Sequence, residues 1–238
     1  MNFNKKLLLL AAALALGACA HADPVSVLEH NEAPVQAVHY VNPDFFKTAA
    51  FAPPPAPGSA EQDADLAGLL AWQHKRTEAD CAKAARTAKE EYEAFWGASS
   101  PFPGAVPPEF SELFSRVAAD FEAALDRMKE RFRRPRPYLA FPDAAQPCIK
   151  KSKSFSYPSG HSSAARATAG VLSDLVPERR DEFYAKADEI ALDRVIGGVH
   201  YPADIAAGKA FGDLFHAELL RSADYRRDLE KARALLAN

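Results

Sequence analysis

Cysteine and the common cofactor motifs are scarce in this 238-residue chain. None of its three cysteines stands in a Cys-x-x-Cys pair or near clustered histidines, which excludes the usual zinc sites. The chain also lacks the Gly-rich loop that binds nucleotide phosphates and the grouped carboxylates that hold magnesium. The sequence therefore offers no recognisable site for zinc, magnesium or a nucleotide cofactor.

Excess positive charge and extended strand patterns are missing as well. With 29 basic against 32 acidic residues the formal net charge is -3, whereas proteins that bind nucleic acid through its phosphates usually carry a clear basic excess. No run of alternating β-branched residues is long enough to build a sheet, and no internal repeat is present. We therefore expect no nucleic-acid partner, and any affinity for anions must be local.

The first 22 residues have the organisation of an export signal, with a cationic start at Asn4-Lys5-Lys6 and an apolar run from Leu7 to Leu16. That run is too short to be a stable membrane-spanning anchor. Leu16-Gly17-Ala18-Cys19 resembles a bacterial lipobox, and we favour cleavage before Cys19 with lipidation of its thiol; ordinary signal-peptidase cleavage after Ala20-His21-Ala22 is the alternative. We expect a periplasmic protein, attached to the membrane by a lipid if Cys19 is acylated.

Residues 23–60 are predicted to form an irregular, proline-rich arm that ends in the extended strap Pro53-Pro54-Pro55-Ala56-Pro57-Gly58. Residues 61–238 are predicted to form one compact, all-α domain, because apolar residues recur there at three- and four-residue steps. A charged tail is expected to follow the last helix. The predicted helices are Asp63 to Lys75, Glu78 to Phe95, Pro107-Pro108 to about Phe132, Ser162 to Leu175, Arg179 to Ile196 and Pro202 to Leu220.

Cys81 and Cys148 are the cysteines that remain after the signal segment. In an oxidising compartment an even pair most simply forms a disulfide bond, and two separate buried thiols are the alternative. We favour the disulfide. It would join an early helix to the loop that leads into the segment around His161.

A basic segment lies at the end of the amphipathic helix, where Lys129 is followed by Arg136 seven residues later. Pro135 and Pro137 flank Arg136 and favour an extended backbone there. Alone, such a pair means little, because a crowd of basic residues is most often a solvated helix end. The run between Lys129 and Arg136 adds three more basic residues, which on this ordinary interpretation lie at a solvated helix end: Arg131, Arg133 and Arg134.

A second segment, Pro158-Ser159-Gly160-His161, comes immediately before a predicted helix. Backbone amides at a helix N-terminus attract anions, and glycine allows an anion to approach the backbone closely. The alternative is a plain turn with a serine cap. His161 would stand at the open end of this helix, where it can deliver a proton to a departing ester oxygen.

A third segment places Arg194 at the end of one helix, with His200 and Asp204 at the start of the next. The four-residue step allows the Asp204 carboxylate to reach one nitrogen of His200 and to fix its tautomer, which leaves the other nitrogen able to attack. Taken alone, the pair would be a local capping contact. Together, the segments supply cations for an anion, a nucleophile and a proton donor.

These three blocks, in this order, resemble the signature of the type 2 phosphatidic acid phosphatase superfamily. The Tyr157-Pro158-Ser159-Gly160-His161 wording, the proline strap and the signal segment are most similar to its bacterial class A non-specific acid phosphatases. The resemblance covers roughly residues 40 to 225. It implies an all-α domain and metal-free hydrolysis of small phosphomonoesters through a phosphohistidine intermediate.

The resemblance also implies a role for each matched residue. His200 is the expected nucleophile, Asp204 its orienting partner and His161 the general acid. The residues expected to hold the phosphoryl oxygens are Lys129, Arg136, Ser159, Gly160 and Arg194. The family usually has serine before the last arginine, whereas this chain has Asp193, which either competes for Arg194 or has another partner. A neutral His200 and a protonated His161 coexist most readily on the acid side of neutrality.

Other functions remain open at this point. A vanadium-dependent haloperoxidase would use the same cationic cage to hold vanadate, and a non-catalytic envelope protein would use it only to grip phosphate. A lipid phosphate phosphatase acting at the membrane surface is a further alternative, although no segment after the signal is apolar enough to span a membrane. The sequence leaves open whether the protein forms a homo-oligomer.

Overall fold

The computed structural model describes residues 38–89, 92–102 and 106–236. The signal segment, Cys19 and the first part of the predicted arm lie outside the described residues. The described part of the chain contains helices and turns but no β-strand, as the sequence predicted. None of its helices has both the length and the apolar character needed to cross a bilayer.

The helices are labelled in chain order. They are α1 (Ala60–Lys75), α2 (Glu78–Arg86), α3 (Tyr92–Trp96), α4 (Pro108–Phe132), α5 (Pro137–Ala140), α6 (Gly160–Leu175), α7 (Arg180–Ile196), α8 (Pro202–Arg221) and α9 (Ala223–Leu236). Short 3-10 helices occur at Pro43–Lys47, Gly97–Ser99 and Pro177–Arg179. The predicted starts of α1 and α6 fall a few residues late, because Ser59 and Ser159 act as their N-caps.

The predicted single helix from Glu78 to Phe95 is wrong. Helix α2 ends at Arg86, and α3 begins only at Tyr92. The break has a tertiary cause, since the Thr87 hydroxyl donates to Asp193 at 2.9 Å and the Ala88 carbonyl lies 3.2 Å from a ring nitrogen of His161. Groups that would sit inside a continuous helix therefore face the neighbouring segments.

The core forms where α4, α6 and α8 pack together, with α9 and the 3-10 helix Pro43–Lys47 against them. Phe46 of that 3-10 helix is fully buried beside Phe211 and Phe215 of α8. Upstream, the buried Asp120 carboxylate of α4 accepts hydrogen bonds from the backbone amides of residues 39, 40 and 41, at 3.0, 2.6 and 2.9 Å. The described end of the arm is thus part of the packed unit.

Residues after Arg221, predicted as a charged tail, instead form α9. Tyr225 and Leu229 of this helix are buried, and the Tyr225 hydroxyl donates to Asp174 at 2.9 Å. Apolar positions three and four residues apart give α9 one buried face despite its many charges.

Close packing of α6 against α8 positions the candidate site. A Cβ atom at Gly208 would lie 2.7 Å from the Ser162 Cβ and 2.8 Å from the Ser159 carbonyl oxygen, so only glycine allows this approach. The amide of Ser159 donates to the Asp204 carbonyl at 3.0 Å. The N-termini of both helices are therefore held side by side, which brings the second and third sequence segments together.

Candidate active site

A cavity of about 650 Å³ opens at the N-terminus of α6, between the last turns of α4 and α7 and the segment that leads into α8. Most of the predicted site residues line it: Lys129, Arg136, Gly160, His161, Arg194 and His200. Segments far apart in the sequence therefore meet around one cavity, with both histidines and the basic side chains on its wall.

His200 is almost completely buried and is held on both sides of its ring. Arg136 Nη1 lies 3.0 Å from Nε2, and the Asp204 carboxylate lies 3.2 Å from Nδ1. Because a guanidinium can only donate, Nε2 must be an acceptor, and the ring proton is on Nδ1. Burial, and after it the charge of Arg136, hold the pKa of His200 well below its ordinary value. The ring is thus a neutral imidazole whose Nε2 lone pair accepts from Arg136, and both residues line the cavity.

Asp204 fixes this tautomer and is itself fully buried. Its carboxylate accepts from the Ser156 hydroxyl at 2.5 Å, from the Tyr201 amide at 3.0 Å and from Arg134 at 2.7 Å. Burial acts to raise the pKa of Asp204, but the hydrogen bond from His200 and the nearby positive charges outweigh it and leave the pKa below its ordinary value. Asp204 is therefore a carboxylate at neutral and mildly acidic pH.

Arg134 was predicted to belong to a solvated helix end, and that prediction is wrong. Its side chain is buried, donates to Asp204 and also donates to Asp65 of α1 at 2.7 Å. The guanidinium stacks 4.0 Å over the Tyr201 ring and donates to Gln62 at 2.8 Å. Arg134 is thus the cation that neutralises two buried carboxylates.

His161 stands in the first turn of α6 and lines the same cavity as His200. Its Nε2 lies 3.2 Å from the Ala88 carbonyl, so this nitrogen carries a proton. Phe95 packs beside the ring at 5.8 Å between centroids. Burial, followed by the charge of Arg194, lowers the pKa of His161 to about 4. A negative charge brought into the cavity would counteract the charge effect.

The basic side chains are anchored by backbone carbonyls. Lys129 Nζ donates to the carbonyls of Phe155 and Pro158, at 2.6 and 3.1 Å. Arg136 donates through Nε to the Ser154 carbonyl at 2.8 Å. Both are buried, so their long side chains are held in place in advance of any ligand. Pre-positioned cations of this kind stabilise an anion without reorganisation.

Arg194 is fixed by α2 and by the turn that follows it. Its Nη2 donates to the Ala84 carbonyl and to the Thr87 hydroxyl, each at 2.6 Å. The Thr87 hydroxyl in turn donates to Asp193 at 2.9 Å. The carboxylate that replaces the expected serine thus has a partner of its own, while burial raises the pKa of Asp193.

Ser159 and Gly160 have different roles, because one caps α6 and the other lines the cavity. Ser159 is completely buried, and its hydroxyl caps α6 by accepting from the Ser162 amide; Ser159 is not among the residues that line the cavity. Gly160 does line the cavity. A Cβ added there would meet Leu125 at 3.1 Å. The positive end of α6 therefore faces the cavity through Gly160 and His161.

The predicted disulfide is confirmed. Cys81 of α2 and Cys148 are joined, and the Cys148 amide donates to the Gly197 carbonyl at 3.0 Å. This bond links α2, whose Ala84 carbonyl accepts from Arg194, to the loop that continues into residues 149–152 and 154 at the rim of the cavity. Within the described part of the chain no group of histidine, cysteine and carboxylate side chains could hold a metal ion.

Sequence reasoning missed three residues around the His200–Asp204 pair. Arg134 and Ser156 donate hydrogen bonds to Asp204, and Asp65 accepts a hydrogen bond from Arg134. The only local signal for this network is the Tyr201–Asp204 step, a capping-box arrangement that places the carboxylate at the third helical position. Asp65 lies in α1 and gives no signal in the sequence, because its importance comes from a contact across 69 positions.

Comparisons with known proteins identify a matching family model and similar acid phosphatases. Residues 113–228 match the model of the PAP2 superfamily. Over 130 residues the chain is 32% identical to a non-specific acid phosphatase from Providencia stuartii, an alignment that spans 53% of this chain and 52% of that enzyme. Over 197 residues it is 29% identical to an acid phosphatase from Zymomonas mobilis, spanning 76% and 72%.

The fold is shared with a solved structure, the transmembrane PAP2-type phosphatidylglycerolphosphate phosphatase from Bacillus subtilis. That structure superposes with a TM-score of 0.52 at 22% identity and covers 69% of this chain and 87% of the other. The two proteins therefore share a fold over the superposed part of the chain.

Proposed function

Because residues 113–228 match the PAP2 superfamily model, we propose that the chain is a PAP2-type, metal-independent acid phosphatase that hydrolyses phosphomonoesters through a phosphohistidine at His200. The observation that carries the proposal is the pair of imidazoles on one cavity. The neutral His200 has its proton on Nδ1, and its Nε2 lone pair can attack once the hydrogen bond from Arg136 is given up to a phosphoryl oxygen. His161 lines the same cavity at the N-terminus of α6. The acid-phosphatase names of two similar proteins support the same reaction.

In the first step, Nε2 of His200 forms a bond to phosphorus while the bond from phosphorus to the ester oxygen breaks. The departing oxygen takes a proton from His161, so the alcohol leaves neutral. In the second step, water attacks the phosphorus, His161 accepts a proton from that water, and the P–N bond breaks. Inorganic phosphate leaves and both rings return to their starting forms.

The cations supply the electrostatic part of the mechanism. In phosphoryl transfer, negative charge is spread over three equatorial oxygens, and fixed donors stabilise it without rearranging. Lys129, Arg136 and Arg194 are anchored on the cavity wall by backbone carbonyls and by Thr87. The amide end of α6 adds a further positive potential.

We extend the proposal to location. The export signal before residue 23 supports a periplasmic protein, and the disulfide between Cys81 and Cys148 is typical of an oxidising compartment. Lipidation of Cys19 would hold the enzyme at a membrane surface.

The test is a phosphatase assay in chelator, combined with alkaline trapping of the enzyme during turnover of a radiolabelled ester. Wild-type protein should turn over without metal and carry an acid-labile label, and His200→Ala should carry none. His74→Ala is the matched control, because His74 is exposed on α1 and does not line the cavity. Label that survives in His200→Ala would remove it as the nucleophile, and vanadate-dependent bromide oxidation without any ester hydrolysis would assign a haloperoxidase instead.

A further inference from the structure

A second, apolar cavity of about 220 Å³ lies between α3, α4 and α6. Aromatic and aliphatic side chains form most of its wall. They include Tyr92, Phe95 and Trp96 of α3 and Phe114, Val117 and Phe121 of α4. The mechanism described above makes no use of this space.

The apolar cavity adjoins the active-site cavity at the proton donor. Glu122, Leu125, Gly160 and His161 line both of them. In an in-line displacement the leaving group departs on the side opposite the attacking atom, so an ester oxygen protonated by His161 carries its organic group away from His200. The apolar cavity is lined by His161 but not by His200, so it is the space beside the proton donor that the nucleophile does not share.

The volume of the apolar cavity limits the size of the leaving group that it can hold. An apolar protein cavity of about 150 Å³ accommodates a benzene molecule, so a cavity of about 220 Å³ has room for one aryl ring or a short alkyl chain. Drug-sized ligands need roughly 300 Å³ or more. A nucleoside or a large polar sugar would therefore have to remain in the more open, basic-rimmed cavity.

We propose that this cavity is a leaving-group subsite that selects phosphomonoesters of small apolar alcohols and phenols. The inference rests on the proposed function, because the leaving group is defined by the direction of attack. Burial of each methylene group there should raise kcat/KM by up to about fourfold, which corresponds to about 0.8 kcal/mol. The exposed carboxylate of Glu122 at the shared rim disfavours leaving groups that carry a negative charge of their own.

The experiment uses ethyl, butyl and hexyl phosphate, whose alcohols have nearly equal pKa values, so that only apolar contact changes along the series. Wild-type kcat/KM should rise at least about tenfold from ethyl to hexyl. Ala118→Phe should fill the subsite, because Ala118 lines it from an exposed position on α4, and should flatten the series while ethyl phosphate is still hydrolysed. Ala210→Phe, at an exposed position of α8 that lines neither cavity, should keep the rise.

The outcomes separate this inference from the proposed function. Hydrolysis of all three esters with equal kcat/KM would overturn the subsite and leave the phosphatase intact. If no ester is hydrolysed, the proposed function fails, and calorimetric titration with methyl-, butyl- and hexylphosphonate decides the subsite by itself. Affinity that grows with chain length in wild type but not in Ala118→Phe would support an apolar subsite, and affinity independent of chain length would overturn it.

Discussion

The two histidines of the candidate site are held in opposite ways. His200 is enclosed, with Arg136 on one ring nitrogen and a buried carboxylate on the other. His161 stands where a basic cavity meets an apolar one, beside Phe95. Burial lowers the pKa of both rings, and at His200 a buried carboxylate fixes the proton on one nitrogen.

The difference follows from what each ring has to do. A nucleophile needs one tautomer and one direction, and a dense polar network around Asp204 provides both. A proton donor needs a pKa that responds to the substrate, and space for the group that departs. His161 has cations close by, whose effect a phosphate dianion offsets, and the apolar cavity beside it.

The largest effect is expected on the nucleophile side, from Asp204→Asn. An amide can donate to Nδ1 and so favour the wrong tautomer, and the loss of a triad carboxylate in this way lowers kcat by about 10⁴ in a serine protease. We expect a loss of about 10³ or more in kcat and in the rate of phosphoenzyme formation, measured by rapid quench.

Ser156→Ala is the milder companion variant, since it removes one hydrogen bond to Asp204 and leaves the carboxylate in place. Its kcat should fall by about tenfold, in line with a hydrogen bond to a charged group. Equal losses in the two variants, or a loss under tenfold in Asp204→Asn, would show that the carboxylate does not orient His200.

On the donor side, His161→Ala should have an effect that depends on the leaving group. General acid catalysis contributes about 10² to 10⁴ in rate, so hydrolysis of an alkyl phosphate should fall by that amount. An ester of a strongly acidic phenol needs no proton and should lose less than about tenfold. Steady-state assays on both esters check this, and equal losses on the two would contradict a donor role.

The sequence was most informative where the functional contacts are local. The step from His200 to Asp204 lies within one helical turn, and the position of His161 follows from a helix that starts beside it. Long-range contacts gave no such signal. The Asp65–Arg134 ion pair spans 69 positions and the Ser156–Asp204 hydrogen bond spans 48, so neither follows from local periodicity.

The errors in the helices have the same origin. Thr87 ends α2 because its hydroxyl bonds to Asp193, more than a hundred positions away, and local helix propensity cannot reveal that contact. Helix α9 is different, because its pattern of Tyr225, Leu229 and Ala232 does carry a helical period. The many charged residues of this segment obscured that period. The burial of Tyr225, Leu229 and Ala232 shows that the period was sufficient to predict a helix packed on the core.

Arg134→Met tests the missed part of the nucleophile side. The variant leaves Asp204 and Asp65 buried without their shared cation, and breaking a buried ion pair typically costs about 3 to 5 kcal/mol of stability. We expect the free energy of unfolding, measured in urea, to fall by that amount. We also expect kcat to fall by about 10- to 100-fold, the effect typical of removing a hydrogen-bonding partner of a metal-binding residue.

Asp65→Asn is the matched control for Arg134, because it keeps the Arg134–Asp204 contact. It should lower stability while kcat stays within about threefold of wild type. If both variants lose stability equally and neither changes kcat, Arg134 has a structural role and does not position the catalytic carboxylate.

A smaller effect is expected from pH. Protonated His161 is the active form, and burial with the nearby cations lowers its pKa to about 4 in the free enzyme, so the active fraction falls as the pH rises above that value. We expect kcat/KM to decline towards neutral pH by up to about tenfold per pH unit, and kcat to decline at a higher pH because bound phosphate raises the pKa of His161. His161→Ala should lose this dependence, and activity that rises steadily into alkaline pH would contradict the assignment.

The smallest effect is expected from Asp193→Ser, which restores the serine that the resemblance leads one to expect. The contacts of Arg194 with the Ala84 carbonyl and the Thr87 hydroxyl do not involve Asp193, and a serine can still accept from Thr87. We expect kcat/KM to change by less than about threefold. Thr87→Val, which removes a direct partner of Arg194, should raise KM by about tenfold. If kcat/KM falls further in Asp193→Ser than in Thr87→Val, the carboxylate itself sets the position of Arg194. The side chains around His161 would then be fixed by a buried carboxylate, as those around His200 are.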